Sequence, residues 1–305
     1  MRVDHRRCVW LLKPKGLGAF LTQGRAGVVS PWKTRVLVAG LLALLASGTA
    51  AAQSGSSPES VFLRSARQAI AQGRYTEAEA LARSRGSSDA DAAGILGRLL
   101  VRTGRYEDAE ALLAPAAKAN RRSEAALELG LLMMTLGRKG EARALLAPLV
   151  DAAADLRTPD AYLRGARAAQ ALRQARSADS LFRSAQAAAR DDAAVETAWG
   201  ELFLEKFAPG DAAASFQAAL KLDPKWAPAH LGLAWALEPE NPPAALAAAK
   251  QALDIDPELV GAHLFSAQSA LDDDRIDGAR RALGRALAVN PRDLEALSLE
   301  AALAW

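Results

Sequence analysis

One cysteine, three histidines and an aromatic content of 5% leave this 305-residue chain short of the groups that staple small folds and ligate metals. Cys8 lies in an N-terminal stretch with the features of a leader, so the mature chain is expected to hold no thiol. That excludes a disulfide, a Cys-ligated metal and a lipid-modified cysteine, and leaves stability to packing alone. Catalytic signatures are missing too: the sequence contains no H-E-x-x-H, no Gly-rich phosphate loop and no G-x-S-x-G elbow. No enzyme activity, catalytic residue, metal or cofactor is expected. Alternating strand patterns are also absent, which excludes a sheet-based core.

Charge of one sign is scarce where the global balance suggests it is plentiful. The sequence pI is about 9.1, yet residues 1–52 alone hold eight Lys or Arg against the single acid Asp4. The remainder has 30 basic and 34 acidic residues, a formal charge of −4. The electrostatic case for nucleic acid disappears with the leader, and no nucleic-acid partner is expected.

Within that leader, Lys33 and Arg35 precede an apolar run, Val36 to Leu45, and small residues ending in Ala50-Ala51-Ala52. This is the pattern of a secretory signal peptide cleaved before Gln53, which predicts an exported, periplasmic or secreted protein. The apolar run is short for a membrane span, so an inner-membrane anchor over residues 36–52 is the alternative, and contact with a membrane is expected only if the segment is retained. One explanation for the long stretch ahead of Lys33 is a start placed too early, with true initiation expected near Val28 or Val29.

A Ser/Gly linker follows at 53–58, and helical periodicity runs through residues 59–305. Gly73 to Leu81 and Gly104 to Leu112 are nearly the same phrase thirty-one residues apart, the mark of an internal repeat. Alignment on small and aromatic positions places units near Glu59, Ala90, Ser123, Pro159, Ala193, Ala227 and Val260, with a partial one from Leu294. Small residues recur at the points where two helices must cross: Ala66, Gly97, Gly130, Ala166, Gly200, Ala234 and Ala267 in the first helices, and Ala78, Ala109, Ala142, Ala178, Ala212, Ala245 and Ala279 in the second. Gly104 and Gly73 mark tight turns, with Tyr106 and Tyr75 packed beside them.

These positions, with closing prolines at Pro224, Pro257 and Pro291, resemble the tetratricopeptide repeat, a helix-turn-helix of about thirty-four residues. Ala270 departs from the pattern, since an aromatic is usual there. The resemblance implies an all-α, right-handed α-solenoid of about seven and a half units. Pro115 and Pro148, late in second helices, are expected to kink or end them. Asn241 and Pro242 suit a helix start. His230 and His263 occupy equivalent places in consecutive units and read as packed imidazoles, for want of a third ligand. Asp272-Asp273-Asp274 reads as a polar turn, and Trp199, Phe203, Phe207 and Phe216 read as a core cluster.

The resemblance further implies that first helices line a concave face, with the residue after each crossing point turned into it. That series is Arg67, Arg98, Leu131, Arg167, Glu201, Trp235 and Gln268, and Arg102, Met134 and Glu205 extend it by one turn. The expected function is a protein-protein interaction scaffold or adaptor that holds a partner protein or peptide, with Arg67, Arg98, Arg102 and Arg167 meeting an acidic end and Trp235 anchoring an apolar one. The Lys and Asn that grip C-terminal carboxylates in chaperone-binding members are absent, so that activity does not carry over. Leu294 to Trp305 resembles a first helix without its second. It is expected to close on the preceding unit, to pair with another copy in a homo-oligomer, or to continue into a longer chain. In the last case the array would be the substrate-binding region of an exported hydrolase, such as a zinc metallopeptidase.

Overall fold

Short polar side chains close the N-termini of the first helices. Ser57, Asp89, Ser123, Thr158 and Asp192 each accept a hydrogen bond from a backbone N–H two or three residues ahead. The computed structural model describes residues 57–303. The expected leader over 1–52, the start near Val28, Cys8 and Trp305 lie outside the described residues.

Fifteen helices follow one another among the described residues: α1 Pro58–Ala71, α2 Tyr75–Ser84, α3 Ala90–Arg102, α4 Tyr106–Ala119, α5 Glu124–Thr135, α6 Lys139–Leu156, α7 Pro159–Ala171, α8 Ala175–Ala188, α9 Ala193–Glu205, α10 Pro209–Leu222, α11 Ala227–Leu237, α12 Pro242–Ile255, α13 Val260–Asp272, α14 Ile276–Val289 and α15 Leu294–Leu303. Each packs on its neighbours in sequence, which is the one-dimensional stacking of a helical solenoid. The crossing residues of both helices in every unit are buried. A Cβ on Gly97 would lie 2.5 Å from Leu113, one on Gly130 2.5 Å from Leu146 and one on Gly200 2.7 Å from Phe216, so the partner side chain fills the space a methyl would need.

Between the two helices of every unit but the one that joins α11 to α12, one residue adopts the left-handed conformation that turns the chain. Gly73, Gly104 and Gly137 take this position without strain, but Arg173, Phe207 and Asp274 hold it too, with φ of 61°, 56° and 56°. This corrects the expectation for Phe207. The turn throws its ring outward, 92% exposed, while Trp199 and Phe203 stack at 5.6 Å and Phe216 is buried beneath Gly200 and Gly232.

Pro115 and Pro148 also depart from expectation, because α4 runs on to Ala119 and α6 to Leu156. The carbonyls that lose their donors belong to Ala111 and Ala144, both exposed, where the missing hydrogen bond is open to solvent and costs too little to end the helix. Asn241 caps α12 through the Ala244 N–H at 3.2 Å, with Pro242 in the first turn. The Nε2 of His263 lies 2.8 Å from the Pro257 carbonyl and that of His230 3.0 Å from the Pro224 carbonyl. A carbonyl can only accept, so in each case Nε2 carries the proton and the ring pins the turn before its helix.

The solenoid curves until its first two units touch its last three. Gln68 and Gln72 donate to the Asp223 carboxylate at 2.9 and 2.7 Å. In the same first unit the Tyr75 hydroxyl donates to Asp256, one unit beyond Asp223 on the opposite edge, and one unit further along both edges Asn290 donates to the Tyr106 hydroxyl at 3.2 Å. Arg102 lies over the Tyr75 ring at 3.5 Å and bonds Glu258 at 2.8 Å. Arg292 lies over the Tyr106 ring at 4.7 Å and bonds Glu107 at 2.6 Å. The repeated Gly-Arg-Tyr phrase is therefore more than a turn: it is one half of a seam made twice.

Candidate functional site

Because the array closes on itself, its first helices face a narrow interior. Arg67, Arg98, Arg167 and Glu201, from α1, α3, α7 and α9, line one cavity of about 150 Å³, together with Ile70, Leu163, Thr197 and Trp226. Four of the ten stripe residues thus meet. The other six do not reach this cavity.

Arg102 turns to the seam. Leu131 and Met134 pack half-buried against the cluster around Leu127 and Leu146. Glu205 accepts from Gln170 at 2.9 Å and from Arg173 at 3.1 Å. Trp235 meets Phe265 edge-on at 4.7 Å, and Gln268 donates to Glu295 at 3.4 Å.

The arginines were expected to meet an acidic ligand, but the chain supplies the acid itself. Arg67, 5% exposed, bonds Asp160 at 2.8 Å and Glu124 at 3.3 Å. Arg98 bonds Glu124 at 3.0 Å and also Glu128. Arg167 lies 3.2 Å from Glu128 and 3.7 Å from Glu124, and Arg164 bonds Asp91 at 3.4 Å. Arg67 is therefore committed inside the fold, and Arg98 and Arg167 keep only part of their guanidinium surface for anything else.

Sequence carries a signal for these acids that the arginine stripe alone does not reveal. Asp91 and Asp160 stand seven residues before Arg98 and Arg167, and Glu124 seven before Leu131. Two helical turns place both residues on one face. Each acid also sits in the first turn of its helix, where the backbone dipole favours negative charge. The inner face thus carries an acidic ring beside a basic one, and neighbouring units pair across it.

Burial acts on the network unequally. Burial alone would raise the Glu124 carboxyl, yet Arg67, Arg98, Arg167 and Arg164 together hold it down to about 2. Asp91 is pushed up to about 7, by burial first and by sharing a hydrogen bond with Glu59 second.

The two acids give stability opposite pH slopes. The Glu124 contribution is present above its ordinary value of 4.5 and is lost as pH falls toward 2. Asp91, whose folded value exceeds its ordinary 3.8, stabilises below that value and loses the contribution as pH rises through 7. Taken together, these two groups favour folding most near pH ~4–5, and their contribution falls away on both sides. Asp91→Asn, which imitates the protonated acid, should flatten the fall between pH ~4 and ~7. Melting curves followed by circular dichroism across this range check both statements, and an unchanged slope in the variant would refute the assignment.

Among the described residues no cluster of three or more His, Cys, Asp or Glu is placed to hold a metal, and no helix is long and apolar enough to cross a membrane. Leu294 and Leu297 of α15 are exposed.

No family model and no curated protein matches the sequence. Solved structures do match the fold. A tetratricopeptide repeat protein from Parabacteroides merdae aligns over 80% of this chain and 98% of its own, at TM-score 0.53 and 12% identity. A chain of the APC/C hetero-tetramer Cut9-Hcn1 aligns over 78% of this chain with TM-score 0.51 and 19% identity; the alignment takes in 47% of that chain, so this protein spans about half its length. Identities this low show the fold alone. Helix pairs stacked in register, small residues at every crossing and these structural neighbours together give the chain the fold of a tetratricopeptide-repeat protein.

Proposed function

We propose that the chain is a non-enzymatic scaffold that binds a protein or peptide partner after export, its leader removed before Gln53. The observation that carries this reading is the composition of the fold. Every described element is a stacked helix, and side chains such as Glu201 and Glu205 are left accessible on the first helices. Solenoids of this kind present an extended face to partners. The buried arginine network limits which part of that face is available, so the partner contact moves from Arg67 and Arg98 toward the accessible acids of α9 and the Trp235 region.

Capture with the mature chain as bait tests the reading. The N-terminal residue of the chain recovered from the export compartment should be Gln53, whereas an intact Met1 would rule out cleavage. The double variant Glu201→Arg/Glu205→Arg changes charge at exposed positions and should leave the circular dichroism spectrum unaltered. It should lose the proteins retained by the wild-type bait. An identical set of retained proteins would refute binding at this face.

A further inference from the structure

The interior cavity has two opposite charges that do not satisfy one another. Arg167 spends only Nη1 on Glu128 and Glu124, which leaves Nε and Nη2 without a partner among the described residues. Arg98 likewise leaves Nη1 unused among the described residues. Glu201, from the neighbouring first helix, makes no hydrogen bond and no ion pair among the described residues, although it lines the same cavity. The crowding protein pushes the Arg167 guanidinium below its ordinary value and the Glu201 carboxyl above its own. Each charge is therefore short of compensation where it stands.

The remaining wall is mostly apolar, formed by Ile70, Leu163, Ala194, Ala198 and Trp226, with Thr197, whose hydroxyl donates to the Ala193 carbonyl at 2.8 Å. At about 150 Å³ the space is below the ~300–1,000 Å³ that holds a drug-sized ligand. Arg98 and Arg167 remain 23% and 25% exposed, so solvent reaches the charged side.

We propose that this cavity binds a small zwitterion with an apolar body, of the aliphatic α-amino acid class, its carboxylate on Arg98 and Arg167 and its ammonium on Glu201. A simple anion would meet the Glu201 carboxylate, and a simple cation would meet the guanidiniums. Only a molecule bearing both charges compensates both walls. A carboxylate offers the planar pair of acceptors that two guanidinium edges recognise best, and an ammonium supplies donors to an acid that has none. The site shares Glu201 with the partner-binding face proposed above, and the two readings are told apart by their readouts: ligand-induced stabilisation for this one, capture of a protein for the other.

L-Leucine is the probe, with 4-methylpentanoate (no amino group) and 3-methylbutylamine (no carboxylate) as its two halves. Millimolar L-leucine should raise the melting temperature of the mature chain by several degrees, as any ligand that binds only the folded state does, and each half-molecule should raise it far less. Glu201→Gln, at a position with no internal partner, should keep the unliganded melting temperature. By titration calorimetry it should weaken L-leucine binding about tenfold or more, the scale of one lost charged hydrogen bond. No shift with L-leucine, an equal shift with either half-molecule, or unchanged binding to Glu201→Gln would each overturn the proposal.

Discussion

Glu124→Gln should be among the most damaging single substitutions in the chain. The side chain is fully buried and stands between four guanidiniums, with Arg98 at 3.0 Å, Arg67 at 3.3 Å, Arg167 at 3.7 Å and Arg164 at 4.0 Å. Glutamine keeps the shape and removes the charge, so the arginines stay desolvated without their shared anion. Removing one partner from a buried ionic cluster costs about 3–5 kcal/mol, more than the cluster contributes over an apolar replacement, because Arg67 and Arg164, both buried, have no escape to water. Since α5 sits in the interior of the array, its loosening removes support from units on both sides. Glu128→Gln should cost less, about 1–3 kcal/mol, because Arg98 and Arg167 are about a quarter exposed and can rehydrate. Urea denaturation followed at the helical signal measures both. A Glu124→Gln midpoint indistinguishable from that of Glu128→Gln would show that the four arginines do not depend on this one acid.

The contrast between these acids and the arginines they hold shows where sequence reasoning stops. Features governed by close neighbours in the chain are legible: Ala66 against Ala78, Gly97 against Ala109, the turn glycines, and Asn241 with Pro242. Helical period and steric size within one unit determine them. The position of the arginine stripe on the inner face is legible for the same reason. What lies opposite that stripe is not, because it depends on how tightly successive units curve, a sum of small rotations that no single residue encodes. Arg67 therefore reads as a groove cation although Asp160, ninety-three residues away, occupies its guanidinium. Acids seven residues before Arg98 and Arg167 offer a local hint, since a face carrying both signs at helical spacing pairs with itself when units stack. Phe207 is a different case. Its aromatic spacing fits a core, but its place at the left-handed turn overrides the spacing.

Gly104→Ala should open the seam, and Gly137→Ala should not. Both glycines hold the same turn position, with φ of 73° and 74°, so both substitutions incur the left-handed penalty of about 1–2 kcal/mol. Beyond Gly137 there is nothing within 4 Å, whereas a methyl on Gly104 would collide with the Asn290 side chain. Asn290 cannot yield freely. It is buried, donates to the Tyr106 hydroxyl at 3.2 Å and accepts from the Arg292 N–H at 3.0 Å, and Arg292 in turn covers the Tyr106 ring and bonds Glu107. Displacing Asn290 therefore breaks one rung of the seam as a unit. The Gly104 variant should lose more stability than the Gly137 variant and, unlike it, should show a larger radius of gyration by small-angle X-ray scattering as the first units part from the last. Equal radii for the two variants would mean that the Asp223 and Asp256 rungs hold the solenoid closed without Asn290. A larger radius for Gly104→Ala alone would show that closure of the interior is governed at the edges of the array, through the same Gly-Arg-Tyr phrase that first reveals the repeat.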